Sequence, residues 1–571
     1  MTDRPAHPEV TAGRMPPRAP LAPPEASRAA PRRPLRGGAA APRAAVRAGL
    51  GALTLGLAAG PVWALLRALP PGWGVLEAAV VALFVVLVTW TAMAAAVALL
   101  GLLPVARPVP VPARWRPRGR TAVLILTCGE PPLPVVGRVR ALHRDLAAAG
   151  LGSATEIHVL SDTRGAAAAV EAQAFATLEG LPGVWWRQRA DNAGRKPGNL
   201  LDWLRGWGGR ADHILVLDAD SRMTAARIAR LIHRMETSPG TGLIQAGMRL
   251  VPARTRFGAL QRLSARLCGP GFARGLAAWT GSEGNYWGHN ALIRTEAFAE
   301  VARLPQLPGR PPLGGAVLSH DFVEAAFLRR SGWAVEIEPD GRGSFEDAPQ
   351  RLAAFHRRDR RWCQGNLQHL RLIAAPGLHA ASRLHLASGI LGYLAAPLWL
   401  ALVLLIALGR PEIGSLAPLA GALSLLLVPK AAGAGMWWLR ARTRGRRRVV
   451  RRAALVELGL STLLAPLMLL RQSLAVAAVL AGRDCGWVPA GGPRPGIADR
   501  RVEPVAGLVL LALVAPGAGA AQLALLLPVL GPLLAAPWLG RWLERPTRRA
   551  ARGLAFAPRR GKAGRPHEAA A

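Results

Sequence analysis

The feature that most constrains this chain is a set of long apolar runs gathered at its two ends. Leu50–Leu69 and Leu76–Leu103 lie toward the N-terminus, and Leu386–Leu408, Ser415–Leu439, Ala453–Leu480 and Pro504–Leu539 toward the C-terminus. Each is long enough to cross a hydrocarbon core of roughly 30 Å as a helix. Helices apolar all round have no face to give to water, so lipid is the solvent they require. With 51% hydrophobic residues among 571, the sequence reads as a multi-pass membrane protein built around one polar stretch.

Basic residues orient the runs. Arg32, Arg33, Arg36, Arg43 and Arg47 precede the first, and Arg107, Arg114, Arg116, Arg118 and Arg120 follow the second. Positive flanks stay in the cytoplasm, so the first two runs form a hairpin and the polar middle is cytoplasmic. Arg440–Arg452 and the tail with Arg541, Arg545, Arg548, Arg549 and Arg552 are basic as well. An even number of spans, six or eight, satisfies all these flanks. To reach it, Ala453–Leu480 is expected to make two short crossings or to lie as an interfacial helix hinged at Arg471, a charge costly at mid-bilayer. Pro504–Leu539 is expected to break near Pro516 or Gly517. Lys430 and Arg471 read equally as bundle-facing or pore-lining charges.

Five regions follow. Residues 1–47 are a Pro/Ala/Arg-rich tail with no periodic apolar face, expected to be disordered. Residues 48–106 are a transmembrane hairpin, and 107–385 a cytoplasmic domain. Residues 386–540 form transmembrane or interfacial helices, and 541–571 a basic cytoplasmic tail. The net charge of +38 does not imply nucleic-acid binding. Its arginines cluster beside apolar runs rather than on a recognisable binding module. Four cysteines far apart, with no CxxC pair, exclude a disulfide scaffold and a cysteine zinc site.

The middle alternates strand-like and helix-like segments. Strands are predicted at Thr121–Thr127, Glu156–Ser161, Val184–Arg189 and Ile214–Leu217, and helices at Val136–Ala149, Ala166–Leu178 and Lys196–Trp207. That alternation predicts a parallel sheet covered on both faces, in the α/β class. Such sheets bind ligands at the carboxyl ends of their strands. Glu130, Asp162, Asp218 and Asp220 fall there. In an extended backbone Asp218 and Asp220 project to one side, where they can share a divalent cation whose shell a diphosphate completes. Arg195 and Lys196 precede a helix, a place for phosphate or simply a solvated helix start.

The strings RKPGNLLDW, VLDADSRM and RRDRRWCQGNLQH resemble inverting family 2 glycosyltransferases of Rossmann-like GT-A fold. GNYWGHNALIRTEAF, PLGGAVLSHDFVEAAFLRRSGW and DRRWCQGNLQHLRL resemble, more narrowly, the glucans biosynthesis glucosyltransferase H family of osmoregulated periplasmic glucan synthesis. The resemblance covers about Arg120–Leu372 and extends into the flanking spans. It implies a bacterial inner-membrane enzyme, with UDP-glucose as donor, a growing linear β-glucan (β-1,2) as acceptor and Mg²⁺ or Mn²⁺ as cofactor. Acyl carrier protein and a periplasmic glucan-processing protein are implied partners.

Residue by residue, the resemblance puts Asp162 at the uridine and Asp218 and Asp220 at the metal and diphosphate. Glu130 and Lys196 fall on the donor side. Asp321 matches the catalytic base, and Arg361 with Trp362 the end of a Gln-x-x-Arg-Trp motif. The chain departs from the pattern at Gly129, His320 and Arg358, which replace an Asn, an acid and the motif's Gln. Trp362 and, less so, Trp287 and Tyr286 could form sugar platforms, and Gln364 and Asn366 could bind hydroxyls or cap a helix. His289 and His369 read as structural. One base without a nucleophile suits an inverting transfer. The competing readings are a cellulose-, hyaluronan- or chitin-type synthase and a non-catalytic nucleotide-binding transporter or scaffold. The Asp218, Asp220 and Asp321 set speaks against the last.

Overall fold

The computed structural model describes residues 10–24, 31–37, 44–104, 110–409, 413–485, 501–517 and 519–547. A strand, β1 (Val10–Arg14), and two helices, α1 (Ala44–Ala68) and α2 (Val75–Leu100), lead into the central domain. Its first half runs β2 (Thr121–Thr127), α3 (Pro132–Ala148), β3 (Thr155–Ser161), α4 (Ala166–Ala176), β4 (Val184–Arg189), α5 (Arg195–Trp207), β5 (His213–Asp218), β6 (Arg222–Met223) and α6 (Ala225–Glu236). Its second half runs β7 (Thr241–Ala246), β8 (Arg249–Leu250), α7 (Arg256–Thr280), β9 (Ala291–Arg294), α8 (Thr295–Ala299), α9 (His320–Arg330), β10 (Ala334–Glu338), β11 (Ser344–Glu346) and α10 (Leu352–Leu367). Helices α11 (Ala380–Gly409), α12 (Ala417–Arg440), α13 (Arg444–Leu480), α14 (Val502–Val514), α15 (Ala520–Leu534) and α16 (Ala536–Glu544) follow.

The main sheet has eight strands in the order β1-β4-β3-β2-β5-β9-β7-β10. The predicted parallel core is β4-β3-β2-β5, and each of its strands starts and ends within one residue of expectation. All seven residues of β2 are buried, because helices cover both faces and leave no side of the strand for water. Beyond the core the sheet is mixed. β9 returns antiparallel between β5 and β7, since the chain comes back to the sheet from the far end of α7. A small second sheet, β6-β11-β8, follows directly on the Asp218–Asp220 turn.

The N-terminal region departs from its expected disorder. β1 pairs antiparallel with β4 as an added edge strand, and the Trp207 indole donates to the Pro16 carbonyl at 2.9 Å. Farther on, Arg33 N–H bonds the Arg330 carbonyl and Arg36 N–H that of Gly332. The Arg36 guanidinium stacks 3.7 Å from the Trp333 ring and reaches Glu300 at 2.6 Å. Main-chain bonds and arginine contacts hold this strap, so no apolar periodicity announces it. Other parts of the tail, including Arg43, and the basic tail from Arg548 onward lie outside the described residues.

Five helices, α1, α2, α11, α12 and α13, are long and apolar enough to span a membrane. The pair Leu523–Leu534 and Ala536–Glu544, bent by 55°, brings the count to as many as six among the described residues. The expected double crossing or hinge at Arg471 does not form. α13 is one helix of 37 residues, about 55 Å long. Arg471 is tolerated because Glu503 of α14 meets it at 2.6 and 2.9 Å. Lys430 is likewise paired, at 2.7 Å with Glu457 of α13. Both charges face neighbouring helices, the bundle-facing alternative. The break expected near Pro516 falls at the short 3₁₀ turn Ala515–Gly517.

Helix α7 joins the two parts. A β-carbon at Gly275 would collide with the Val97 carbonyl of α2, and one at Gly433 of α12 with the Leu267 carbonyl of α7. Only glycine lets these backbones approach so closely. Gly275→Val should therefore lower the melting temperature of the purified protein by several degrees, as overpacking by about 1–3 kcal/mol would. Gly56→Ala, where a β-carbon meets open space, should leave it unchanged. Equal melting of the two variants would refute this account of the α7 contact.

Candidate active site

The carboxyl ends of β2, β3 and β5 converge with the start of α9 and the inner face of α10. Past β3, Asp162 is buried at 6% exposure. Arg189 of β4 donates to both its oxygens at 2.5 and 2.9 Å, and Asn199 Nδ2 to one at 2.9 Å. Burial pushes the Asp162 carboxyl up, and Arg189 opposes that rise. Three of about four acceptor positions are filled, leaving room for one further donor. Arg189 also binds Asp202 at 2.8 Å and the carbonyls of Ala193 and Arg195. It thereby shapes the turn that delivers Lys196, where Gly194 takes a left-handed φ of 68°.

Lys196 reaches across to Asp218 and bonds one of its oxygens. Burial works against the charge of Asp218, but Lys196 and then His289 outweigh it and hold the carboxyl below its ordinary range. Asp220 opens to the cleft, yet the walls around it and the charge of Asp218 push its carboxyl up to about 6. His289 spans the neighbouring Ser221 Oγ at 3.2 Å and Glu346 at 3.4 Å. Among the described residues no group of three or more His, Cys, Asp or Glu is arranged to hold a metal ion. Asp218 and Asp220 fit a cation whose remaining positions come from a diphosphate and water. The mutual repulsion recorded in Asp220 is what such a cation would relieve.

Glu130 folds back on its own turn, accepting from Cys128 N–H at 2.5 Å. Burial raises its carboxyl and the charge of Asp218 adds to the rise. Asp321 occupies the first turn of α9. A β-carbon on Gly288, of the GNYWGHN string, would lie 3.5 Å from its Oδ2, so glycine keeps that face of the carboxylate open. Burial raises the Asp321 carboxyl above its usual range, with His320 and Lys196 opposing. His320 Nδ1 lies 3.0 Å from the fully buried Glu324.

On α10, Trp362 is 47% exposed, with the Arg358 guanidinium 4.5 Å over its ring. Arg358 stands near Glu346 and Asp220, and burial lowers its basicity. Arg361 is also lowered by burial and lies within electrostatic reach of Cys485, Arg195 and Glu130. That puts it toward the donor strands rather than at the acceptor end expected for it. Trp287 is half-buried, and its main-chain N–H donates to the Gln245 side-chain oxygen at 2.9 Å.

Three expectations change. Gln364 is not free for hydroxyls: its amide donates to the Pro312 carbonyl at 3.2 Å and accepts from Cys485 N–H at 2.7 Å. Tyr286 is fully buried and donates to the Gly288 carbonyl at 2.8 Å, so it offers no platform. Asn366 donates to the Trp362 carbonyl within its own helix. His369 is structural as expected, with its ring 3.3 Å from the Ser319 carbonyl at the start of α9. Arg189, Asn199, Glu324 and Glu346 were missed as site residues. Asn199 stands inside the RKPGN string, but nothing local ties the others to the cleft.

A mixed sheet covered by helices on both faces, with strand-end carboxylates and set between membrane helices, defines a membrane glycosyltransferase of family 2 with GT-A fold. The model for glycosyl transferase family group 2 matches residues 213–410. A glucans biosynthesis glucosyltransferase H of Xanthomonas campestris pv. campestris is 39% identical over 535 residues, covering 85% of this chain and 82% of that protein. One from Vibrio cholerae serotype O1 is 43% identical over 447 residues, covering 72% of this chain and 62% of that one. The chain belongs to the glucans biosynthesis glucosyltransferase H family. Among solved structures, a mannosyltransferase from Pyrobaculum calidifontis with GDP-Man and Mn²⁺ aligns at 17% identity and TM-score 0.42, covering 68% of this chain and 98% of that one.

Metal affinity should follow the Asp220 titration. In the presence of UDP, Mn²⁺ should bind less tightly as pH falls below about 6, where a proton competes for Asp220. Calorimetric titration of wild type across pH 5–8 checks this, and Asp218→Asn with Asp220→Asn should abolish binding. Unchanged affinity in that double variant would remove the pair from the metal site.

Proposed function

We propose that the enzyme transfers glucose from UDP-glucose, with inversion, to the end of a growing linear β-glucan, the β-1,2 backbone of osmoregulated periplasmic glucans. The observation that carries this reading is the convergence of Lys196, Asp218, Asp220 and Asp321 at the strand ends. Asp162, with one acceptor position left, suits the uracil end of the donor. Mg²⁺ or Mn²⁺ on Asp218 and Asp220 would supply positive charge to the departing diphosphate. Lys196 already lies against Asp218 and can turn to the same phosphates. Arg361 and Arg358 add fixed positive charge on the α10 side.

Asp321 is the base in this reading. Burial raises its carboxyl above the ordinary range, which makes it the stronger base for the acceptor hydroxyl's proton. As the anomeric bond to the diphosphate breaks, that hydroxyl oxygen attacks from the opposite face. Trp362, exposed and backed by Arg358, is the platform for the acceptor sugar. The catalytic domain and both termini lie in the cytoplasm at the bacterial inner membrane, with an even number of spans. An acyl carrier protein and a periplasmic glucan-processing protein are the partners this reading implies.

Three measurements test it. Product made from labelled UDP-glucose in vesicles should give β-1,2 linkages on methylation analysis, and another linkage would reject the product assignment. Asp321→Asn should reduce kcat by about 10²–10⁴ while donor affinity stays near wild type. A collapsed rate in His320→Gln with a near-normal one in Asp321→Asn would transfer the role to the histidine. A periplasmic reporter fused after Ala571 should be inactive, and an active fusion would reverse the orientation.

A further inference from the structure

A cavity of about 1290 Å³ lies outside the catalytic cleft, between α7, the end of α12 and the β8–β10 edge of the catalytic domain. It meets the active site at Trp287 and Glu346. Its two walls differ in charge. On the catalytic-domain wall each acid already has a basic partner. Glu338 holds Arg227 at 2.7 Å and Arg230 at 3.0 Å, Asp340 holds Arg342 at 2.9 Å, Glu336 pairs with Arg234 and Glu346 with His289. On the opposite wall stand Arg266, Arg274 and Arg440. Among the described residues none of the three has a carboxylate within ion-pair distance.

Their contacts are poor substitutes for an acid. Arg274 donates to the Leu103 carbonyl at 2.5 Å and approaches the Met436 sulfur at 3.6 Å. Its buried Nε finds no acceptor. Burial lowers its basicity, and the like charge of Arg440 lowers it further. Arg266 lies 5.4 Å over the Trp437 ring, whose N–H is spent on the Arg266 carbonyl at 3.0 Å. Three guanidiniums on one wall, none with an acid beside it, raise the local potential and favour an anion. A neutral glucan would gain nothing from that charge.

The cavity also sits where the spans leave the bilayer. Arg440 is the last residue of α12, Trp437 lies one turn earlier, and Pro104 follows shortly after α2. Tryptophan and arginine at span ends mark the headgroup level. Phe272, on the cavity side of α7, is 43% exposed and gives the same wall an apolar surface.

We propose that this cavity binds the anionic headgroup of a membrane phospholipid. The phosphate is held by Arg266, Arg274 and Arg440, and the first part of the acyl chains lies along Phe272 and Trp437. The site is separate from donor binding and stands or falls independently of the UDP-glucose assignment.

The test uses the full chain reconstituted with equal amounts of phosphatidylglycerol and phosphatidylcholine, with retained lipid counted by native mass spectrometry. Wild type should retain phosphatidylglycerol in preference. The triple variant Arg266→Gln, Arg274→Gln, Arg440→Gln should lose about tenfold of that preference, and Arg274→Lys, which keeps the charge, should hold it. If the triple variant does not fold, Arg440→Gln alone, at an exposed helix end, should lose about threefold. An undiminished preference in the folded triple variant, or in Arg440→Gln if only that one folds, overturns the proposal. So does displacement of the lipid by soluble glycerol phosphate at equal concentration, which would mark a site for free phosphate. Retention of a labelled oligoglucan that is lost in the triple variant, with lipid binding unchanged, would reassign the cavity to the product.

Discussion

The active site is organised around one buried guanidinium. Arg189 sits at the end of β4 and satisfies Asp162, Asp202 and two carbonyls of the following turn at once. Without it Asp162 would be left as a buried charge with only Asn199 beside it, a loss of about 3–5 kcal/mol. The consequence is geometric as well as energetic. The turn clamped by Arg189 sends α5 off with Lys196 at its start, and Lys196 in turn fixes Asp218. The cleft residues of three strands are thus held by one chain of charge contacts rather than by the sheet alone.

A second clamp fixes this domain to the membrane helices. Glu283, ahead of the GNYWGHN string, receives Arg47 from α1 at 2.6 Å, Arg329 from α9 at 3.2 Å and His379 at 2.9 Å. With these partners its carboxyl drops to about 2, against the opposing effect of burial. The helix that carries Asp321 is therefore tied at its far end to the first membrane helix. The glycine contacts of α7 make a parallel attachment through backbone alone. Docking of this kind keeps the α9 side of the cleft in register with the helices beside it.

Much of this was legible in the sequence, for identifiable reasons. β2 and β5 were located within a residue because strands buried on both faces are mostly apolar, and β3 and β4 because they alternate with helix-like segments. The Asp218–Asp220 pair was legible because strand alternation alone puts both side chains on one side. What escaped depended on partners distant in the chain. Arg471 looked intolerable in lipid because Glu503, 32 positions away, carries no local sign of pairing with it. Tyr286 and Gln364 looked available because side-chain direction is decided by packing. The strap at 10–24 and 31–37 left no pattern, since carbonyls and arginines hold it. Arg358, a departure from the family motif, turned out to back Trp362 and to stand near Asp220.

The single long α13 has a further consequence. From its basic N-terminal turns the helix runs to Leu480. Along the way Gln472 bonds Asp359 of α10 at 3.2 Å, and just past its end Cys485 bonds Gln364. Tyr393 of α11 holds the same Asp359 at 3.1 Å. Helices longer than the local hydrocarbon thickness answer it by tilting. Through Gln472 and Cys485, α13 and the residues just past it bear on α10, the helix that presents Arg358, Arg361 and Trp362. Should a mismatch with the bilayer tilt α13, these bonds to α10 are the route by which it would reach the catalytic cleft.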